Sequence, residues 1–320
     1  MTRKMENKPV KVSVIMLSYN HERYIAHAIE SVISQKTDFE TEILIGDDCS
    51  SDNSAEIIRE YARKYPHIIT AFIRPENLGA TKNSFDLLCR ARGQYIAACE
   101  GDDFWTDEYK LQKQCDFLDE HEEYSAVASE SVIVDENDRE YAHVSDVRWI
   151  CRKRDMSLKD FRGIFLPGQP SSLMRRNFFL EDGFEKELFL TAHHSIGDRT
   201  TAVQWLCRGR IYRMPLILSA YRIPKKENRQ NMTQTLYSKS SSIIREDSDY
   251  TDTLYEYARN NYKGSFSFDY HRTELLLSAL KKRDLSSALY IFRKMSLPLS
   301  AFIYFFPIIV SRIKEKIRKN

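Results

Sequence analysis

The sequence predicts an α/β fold, a parallel sheet covered by helices on both faces, followed by a helical C-terminal region. Three observations carry that expectation. Apolar, β-branched runs alternate with segments of helical period over about the first 100 residues. Each run ends in polar residues, and beyond about Ser241 only the helical period remains.

The elements follow in order. "VSVIML" (Val12 to Leu17) is the first strand, after which Ile25, Ala28, Ile29, Val32 and Ile33 share one face of a helix. "EILIG" (Glu42 to Gly46), a helix from about Ser54 to Tyr65, "IITAFI" (Ile68 to Ile73), a helix from about Thr81 to Cys89, and "QYIAAC" continue the alternation. From Ser125 the pattern changes. "SVIVDENDREY" reads as a hairpin turning at Asp135 to Asp138, and "SSLMRR", "RIYRMP" and "LILSAYRI" read as further strands around a helix beginning near Asp198. A polar stretch, Lys225 to Thr235, precedes the C-terminal helices, of which "TELLLSALKKRDLSSALYIF" is the clearest. The chain therefore divides into a domain over 1–240, with halves at about 10–120 and 121–240, and a helical region over 241–320.

Composition limits the function. With 320 residues, 42% hydrophobic and 29% charged, the chain can bury a sizeable core and is not disordered. A net charge of +2 without a basic block argues against nucleic acid as a partner. Cys49, Cys89, Cys99, Cys115, Cys151 and Cys207 are dispersed, with no C-x-x-C pair, which fits a reduced cytoplasmic protein. The N-terminal "MTRKMENKP" lacks the apolar run of a signal peptide.

In doubly covered sheets, ligands bind beyond the carboxyl ends of the strands. Here those ends carry Ser18, Tyr19 and Asn20, then Asp47 and Asp48, then Arg74 and Asn77, then Glu100, Asp102 and Asp103. Carboxylates crowded together raise one another's pKa unless a cation sits between them. Mg2+ or Mn2+ takes oxygen ligands, using one or two carboxylates and leaving room for phosphates. An Asp-rich turn before a helix starting near Asp107 is the plainer alternative. No G-x-G pair and no G-x-x-x-x-G-K-[ST] loop occur, so a dinucleotide fingerprint and a P-loop are both absent.

"VSVIMLSYNHERYIAHAIESVISQ", "EILIGDDCSSDNS", "NLGATKN" and "GQYIAACEGDDFWTDEYKLQKQ", in this order over roughly the first 120 residues, resemble the successive motifs of the family 2 inverting glycosyltransferases. The resemblance implies a GT-A fold, a Rossmann-like mixed sheet flanked by helices, with a C-terminal helical extension. It implies a nucleotide-sugar donor bound by Ser18, Tyr19, Asn20, Asp47, Asp48, Asn77, Lys82 and Asp102. Tyr19 matches the position that packs on the base, and Asp48 the acid that accepts from N3–H, which favours a UDP-sugar. "EGDD" stands where the family has a D-x-D-like motif, with Glu100 in place of the commoner Asp, so Asp102 and Asp103 are the expected metal pair. A general base is placed by the resemblance at a helix start, where Asp198 stands in "SIGDRTTAVQWL"; an N-cap role is the alternative. Arg222, Lys225, Lys226 and Arg229 are expected to cover the diphosphate, with a solvated linker as the alternative; His193 and His194 are other candidates for proton transfer, weighed against surface or acceptor-binding roles, and His21 and His27 need no function.

The implied reaction transfers a sugar to a hydroxyl of a saccharide or lipid-linked saccharide in surface-polysaccharide assembly. A nucleotidyltransferase making sugar nucleotides, or a silent saccharide-binding module, are the alternatives; the first lacks its glycine- and arginine-rich signature between Leu17 and Arg23. "LPLSAFIYFFPIIV" (Leu297 to Val310) falls short of the roughly 20 residues that span a bilayer. With its basic tail, 297–319 is expected to lie on the inner face of the cytoplasmic membrane, the competing reading being a helix buried in the core or in a dimer contact.

Overall fold

The computed structural model describes residues 9–193, 197–223, 241–295, 303–305 and 307–310. In the first strand, β1 (Val10–Ser18), side chains alternate between two cores: Val12, Val14 and Met16 face one side and Ile15 and Leu17 the other. The same alternation repeats in β2 (Glu40–Asp47), where Ile43 and Ile45 oppose Leu44. Both strands are therefore interior, covered on each face.

Further strands are β3 (Ile69–Ile73), β4 (Tyr95–Ala98), β5 (Phe104–Trp105), β6 (Tyr124–Val134), β7 (Glu140–His143), β8 (Asp155–Met156), β9 (Leu173–Arg176) and β10 (Arg210–Arg222). They form one sheet in the order β3-β2-β1-β4-β9-β6-β10-β5, with β7 beside β6 and β8 beside β10. The first four strands run parallel, as expected. Antiparallel β9 between β4 and β6 makes the whole sheet mixed.

Helices α1 (Ile25–Ile33), α2 (Ser54–Lys64) and α4 (Lys110–Glu120) cover one face. The other face holds α3 (Ala80–Arg90), the short α5 (Leu158–Phe161) and α6 (Leu188–Thr191), and α7 (Asp198–Leu206). The C-terminal helices are α8 (Ser241–Asn261), α9 (Asp269–Lys281) and α10 (Leu285–Lys294). Tyr250, Leu254, Tyr257 and Ala258 of α8 lie in the same apolar cluster as Trp205 of α7 and Phe161. The division at 240 thus follows the chain, whereas the core runs across it.

Two local expectations change. "RIYRMP" and "LILSAYRI" are one strand, β10, whose pairing with β6 slips between Met214 and Ile217. Pro215 sits in that irregularity, where its missing N–H costs no ladder bond. The helix expected near Asp107 begins at Lys110, because Asp107 instead accepts from the Tyr109 N–H at 2.8 Å.

Most of 297–319, and the polar stretch 225–235, lie outside the described residues. Among the described residues no helix is long and apolar enough to cross a membrane. Tyr304 packs edge-on against Tyr270 of α9, with ring centroids 5.6 Å apart, while Ile303, Phe305 and Val310 are exposed.

Candidate active site

The parallel order β2-β1-β4 places three strand ends side by side, and their pairing continues into the loops. Asp48 N–H donates to Ser18 O at 2.9 Å, and Gly101 N–H to Leu17 O at 2.8 Å. Gly101 is required there: a Cβ would stand 2.8 Å from both His21 Nδ1 and Leu17 O. The acidic turn is thereby pressed against the "SYN" loop.

At the first two strand ends the expected residues divide into holders and exposed groups. Tyr19 is half exposed and offers an open ring. Ser18 is buried, and its hydroxyl has no hydrogen-bond partner among the described residues. Asn20, at φ 57°, accepts from Ser51 N–H at 2.9 Å and so ties the two loops together. Asp47 is fully buried and closes its own turn through Ser50 Oγ (2.6 Å) and N–H (3.0 Å). Asp48 accepts from the Leu78 N–H at 2.7 Å and the Gly79 N–H at 2.9 Å, one on each oxygen. Asn77 donates to Asp48 O at 3.1 Å, and Gly79, at φ 81°, takes a conformation that favours glycine. Lys82 is exposed on the first turn of α3.

Glu100, Asp102 and Asp103 have separate environments. Asp103 is buried, accepting from Arg222 N–H at 2.9 Å on one oxygen and from Ser171 Oγ at 2.7 Å on the other. Ser171 also accepts from the Glu100 N–H at 2.9 Å, so it pins both ends of the turn. Asp103 therefore holds the turn, and each of its oxygens, with one hydrogen bond accepted, keeps a lone pair, so its expected pairing with Asp102 at an ion remains a proposal. Asp102 remains part-exposed, with His21 Nε2 at 3.9 Å from its carboxylate. The Glu100 side chain has no hydrogen-bond partner among the described residues. Its carboxyl is pushed well above the usual range, first by burial and then by the charges of Asp103, Asp102 and Asp198.

Asp198 joins these acids across the cleft. It stands at the first position of α7, after Gly197, which has no side chain to cap that end. The capping alternative fails: Asp198 makes no cap bond and its carboxylate has no hydrogen-bond partner among the described residues. The group is open to solvent, yet protein crowds it on most sides; that burial raises its pKa, against the pull of Arg175. Tyr221 of β10 is raised by burial and then by Glu100, Asp103, Asp102 and Asp198 together. One phenol thus senses all four acids.

Arg222 departs from expectation. It is buried, with Nε donating to Asp102 O at 2.7 Å, Nη1 to Asp135 O at 3.1 Å and to the Asp138 carboxylate, and its guanidinium 4.2 Å over the Tyr24 ring. This is a strut beneath the acidic turn, with no guanidinium free to cover a diphosphate. Arg229 and His194 lie outside the described residues, and His193 is turned toward Glu246, 3.6 Å away.

Sequence reading missed Ser171, Arg175 and Tyr221. Arg175 lies on β9 with its guanidinium 5.0 Å over Trp205 of α7, and burial lowers its pKa to about 10. The one available signal was strand alternation, which puts Arg175 and Arg176 on opposite faces. Ser171 in "QPSS" carried none.

The residues fit a hard divalent ion shared with phosphates: Asp102 supplies a part-exposed carboxylate, and crowded Glu100 has no counter-cation among the described residues. Among the described residues no group of three or more His, Cys, Asp or Glu forms a complete metal site.

Comparison with known proteins follows this geometry. The profile of glycosyl transferase family 2 matches residues 13–183, more than half of the chain. The uncharacterized protein Rv1520 of Mycobacterium tuberculosis is 38% identical over 147 residues, covering 46% of this chain and 42% of that protein. The putative teichuronic acid biosynthesis glycosyltransferase TuaG of Bacillus subtilis is 37% identical over 114 residues, 36% of this chain and 44% of TuaG. The match thus spans less than half the length of these relatives. Among solved structures, S. aureus TarS 1–349 in complex with UDP-GlcNAc superposes with a TM-score of 0.57 at 17% identity, covering 88% of this chain and 90% of that one. The mannosyltransferase PcManGT of Pyrobaculum calidifontis, in complex with GDP-Man and Mn2+, gives 0.55 at 17% identity, covering 95% and 81%. At such identity the likeness carries the fold alone, and that fold is the GT-A fold expected from the motifs. With its profile matched over 13–183 and its sheet shared with these transferases, the chain belongs to glycosyl transferase family 2.

Proposed function

We propose that the chain is an inverting, metal-dependent glycosyltransferase that moves a sugar from a nucleotide donor, with UDP favoured, to a saccharide or lipid-linked saccharide hydroxyl. Support for one shared reaction cleft comes from electrostatics: beyond the effect of burial, Glu100, Asp103, Asp102 and Asp198 all push the pKa of the partly buried Tyr221 phenol upward. Tyr19 offers an exposed ring for the base. Each Asp48 oxygen accepts one backbone N–H and keeps a lone pair for an N3–H donor.

Asp102 is the proposed ligand to Mn2+ or Mg2+, with Glu100 beside it, while Asp103, Ser171 and Arg222 aim the turn. A bound ion would neutralise charge on the leaving diphosphate. Asp198 takes the proton of the acceptor hydroxyl as that oxygen attacks the anomeric carbon, and the bond to the diphosphate oxygen breaks on the opposite face. Arg175 offsets the negative charge of the cleft near Asp198.

Calorimetric titration of UDP with Mn2+, beside a transfer assay on a panel of nucleotide sugars, tests these roles. Asp102→Ala is expected to lose metal-dependent UDP binding with little change in melting temperature. Asp198→Ala keeps that binding and loses transfer by about 100-fold or more. Full transfer by Asp198→Ala would remove the base assignment, and unchanged UDP binding by Asp102→Ala would remove the ion from this turn.

A further inference from the structure

The helix that carries Asp198 starts without a cap of its own. Gly197 has no side-chain oxygen to offer, although its carbonyl accepts the first helical bond from Thr201 N–H at 2.8 Å. The backbone N–H groups of the first turn must find other partners or water. An aspartate in this position has an obvious partner, because its carboxylate reaches the N–H two residues on in an Asx-type turn. That N–H belongs to Thr200.

In the structure it is already taken. Tyr250, from α8 in the C-terminal region, accepts the Thr200 N–H at 3.0 Å and shares a 2.8 Å hydrogen bond with Thr200 Oγ1. The neighbouring residue is gripped from the same helix: Arg199 donates to Asp247 at 2.5 Å and to Thr251 Oγ1 at 2.8 Å, its guanidinium 4.6 Å over the Tyr250 ring. Arg199, Thr200, Tyr250, Asp247 and Thr251 are all buried. The two residues that follow Asp198 are therefore held in place while its carboxylate is left open.

We propose that Tyr250 is a positioning residue: its hydroxyl caps the first turn of α7 from outside and so keeps Asp198 from spending its carboxylate as a cap. This rests on Asp198 being the general base. It assigns the C-terminal helices a part in the chemistry that no residue of theirs performs by touching substrate. When the cap is removed, Asp198 turns back onto Thr200 N–H and withdraws from the acceptor.

The test is Tyr250→Phe in the full chain, beside Thr200→Val and Asp198→Asn. Tyr250→Phe is expected to lower kcat about tenfold or more, with donor KM and UDP affinity in Mn2+ within twofold of the parent. Its crystal structure places an Asp198 oxygen within hydrogen-bond distance of Thr200 N–H. Thr200→Val removes the hydroxyl link, keeps the cap and retains kcat. An unchanged kcat in Tyr250→Phe, or an Asp198 that stays open in its structure, overturns the proposal while leaving the base assignment standing. Transfer retained by Asp198→Asn overturns the base assignment itself. Should Tyr250→Phe fail to fold, amide exchange in the parent still decides: Thr200 N–H is expected to be protected, and free exchange at that amide refutes the cap.

Discussion

Arg222 offers the clearest separation between holding the site and touching the substrate. Replacing it with methionine keeps an apolar stem and removes the guanidinium. Two buried carbonyl oxygens, Asp102 O and Asp135 O, then lose a charged donor, at about 1.5–3 kcal/mol each. The contact over Tyr24 at 4.2 Å adds roughly 1 kcal/mol. The Asp138 partner is 46% exposed and contributes little. Relaxation and entering water recover part of this, leaving about 3–5 kcal/mol. At roughly 2–4 °C per kcal/mol, the melting temperature falls by about 10 °C. Scanning calorimetry measures that fall, and titration with UDP and Mn2+ on the same sample measures the donor. A melting temperature that stays put while UDP affinity drops would refute the strut and return Arg222 to the diphosphate.

Stability should also depend on pH through the charges that anchor α8 and α9. Burial holds the His271 pKa below its ordinary value, against the pull of Asp247, while Arg199 and Arg272 reinforce the depression and Glu274 faces the other ring nitrogen at 3.8 Å. The unfolded chain then binds a proton that the folded chain refuses, so stability declines as pH falls below about 6.5, by at most about 1.4 kcal/mol per pH unit. Burial works against Asp247, but His271 and Arg199 still hold it well below the carboxylate range, so its contribution persists near pH 5 and is lost only at lower pH. Urea melts at pH 7.5, 6.5 and 5.5 check this, and a wild-type profile as flat as that of His271→Gln would contradict it. For the C-terminal tail, the full chain is expected to sediment with anionic vesicles at low salt and a chain ending at Lys294 to remain in solution, since each surface Lys or Arg contributes roughly 1 kcal/mol. Equal sedimentation of the two sinks the membrane reading.

Local chemistry is what the sequence determined by itself. Strands such as "VSVIML" and "EILIG" are short apolar runs bounded by polar residues, and α1 announces itself through Ile25, Ala28, Ile29 and Val32 on one face. Those signals need no partner to be read, because period and turn residues act over a few positions. The same holds for the polar strand ends, for the hairpin at Asp135 to Asp138 and for the start of α7 at Asp198. Motif order over the first 120 or so residues then carried the family.

Which carboxylates are free and which are spent was decided by tertiary structure alone. In "EGDD" the acids look interchangeable, yet Ser171, 68 residues away, and the Arg222 backbone, 119 residues away, bury and orient Asp103 and leave Asp102 without such partners among the described residues. Asp198 reads as a base or as an N-cap until Tyr250, 50 residues beyond Thr200, takes the amide it would have capped. Arg222 reads as a mobile cation until the carbonyls of Asp102 and Asp135 bind it. A carboxylate or guanidinium is available only when its hydrogen-bonding capacity is not already filled, and the partners that fill it arrive from distant parts of the chain once the sheet has brought them together.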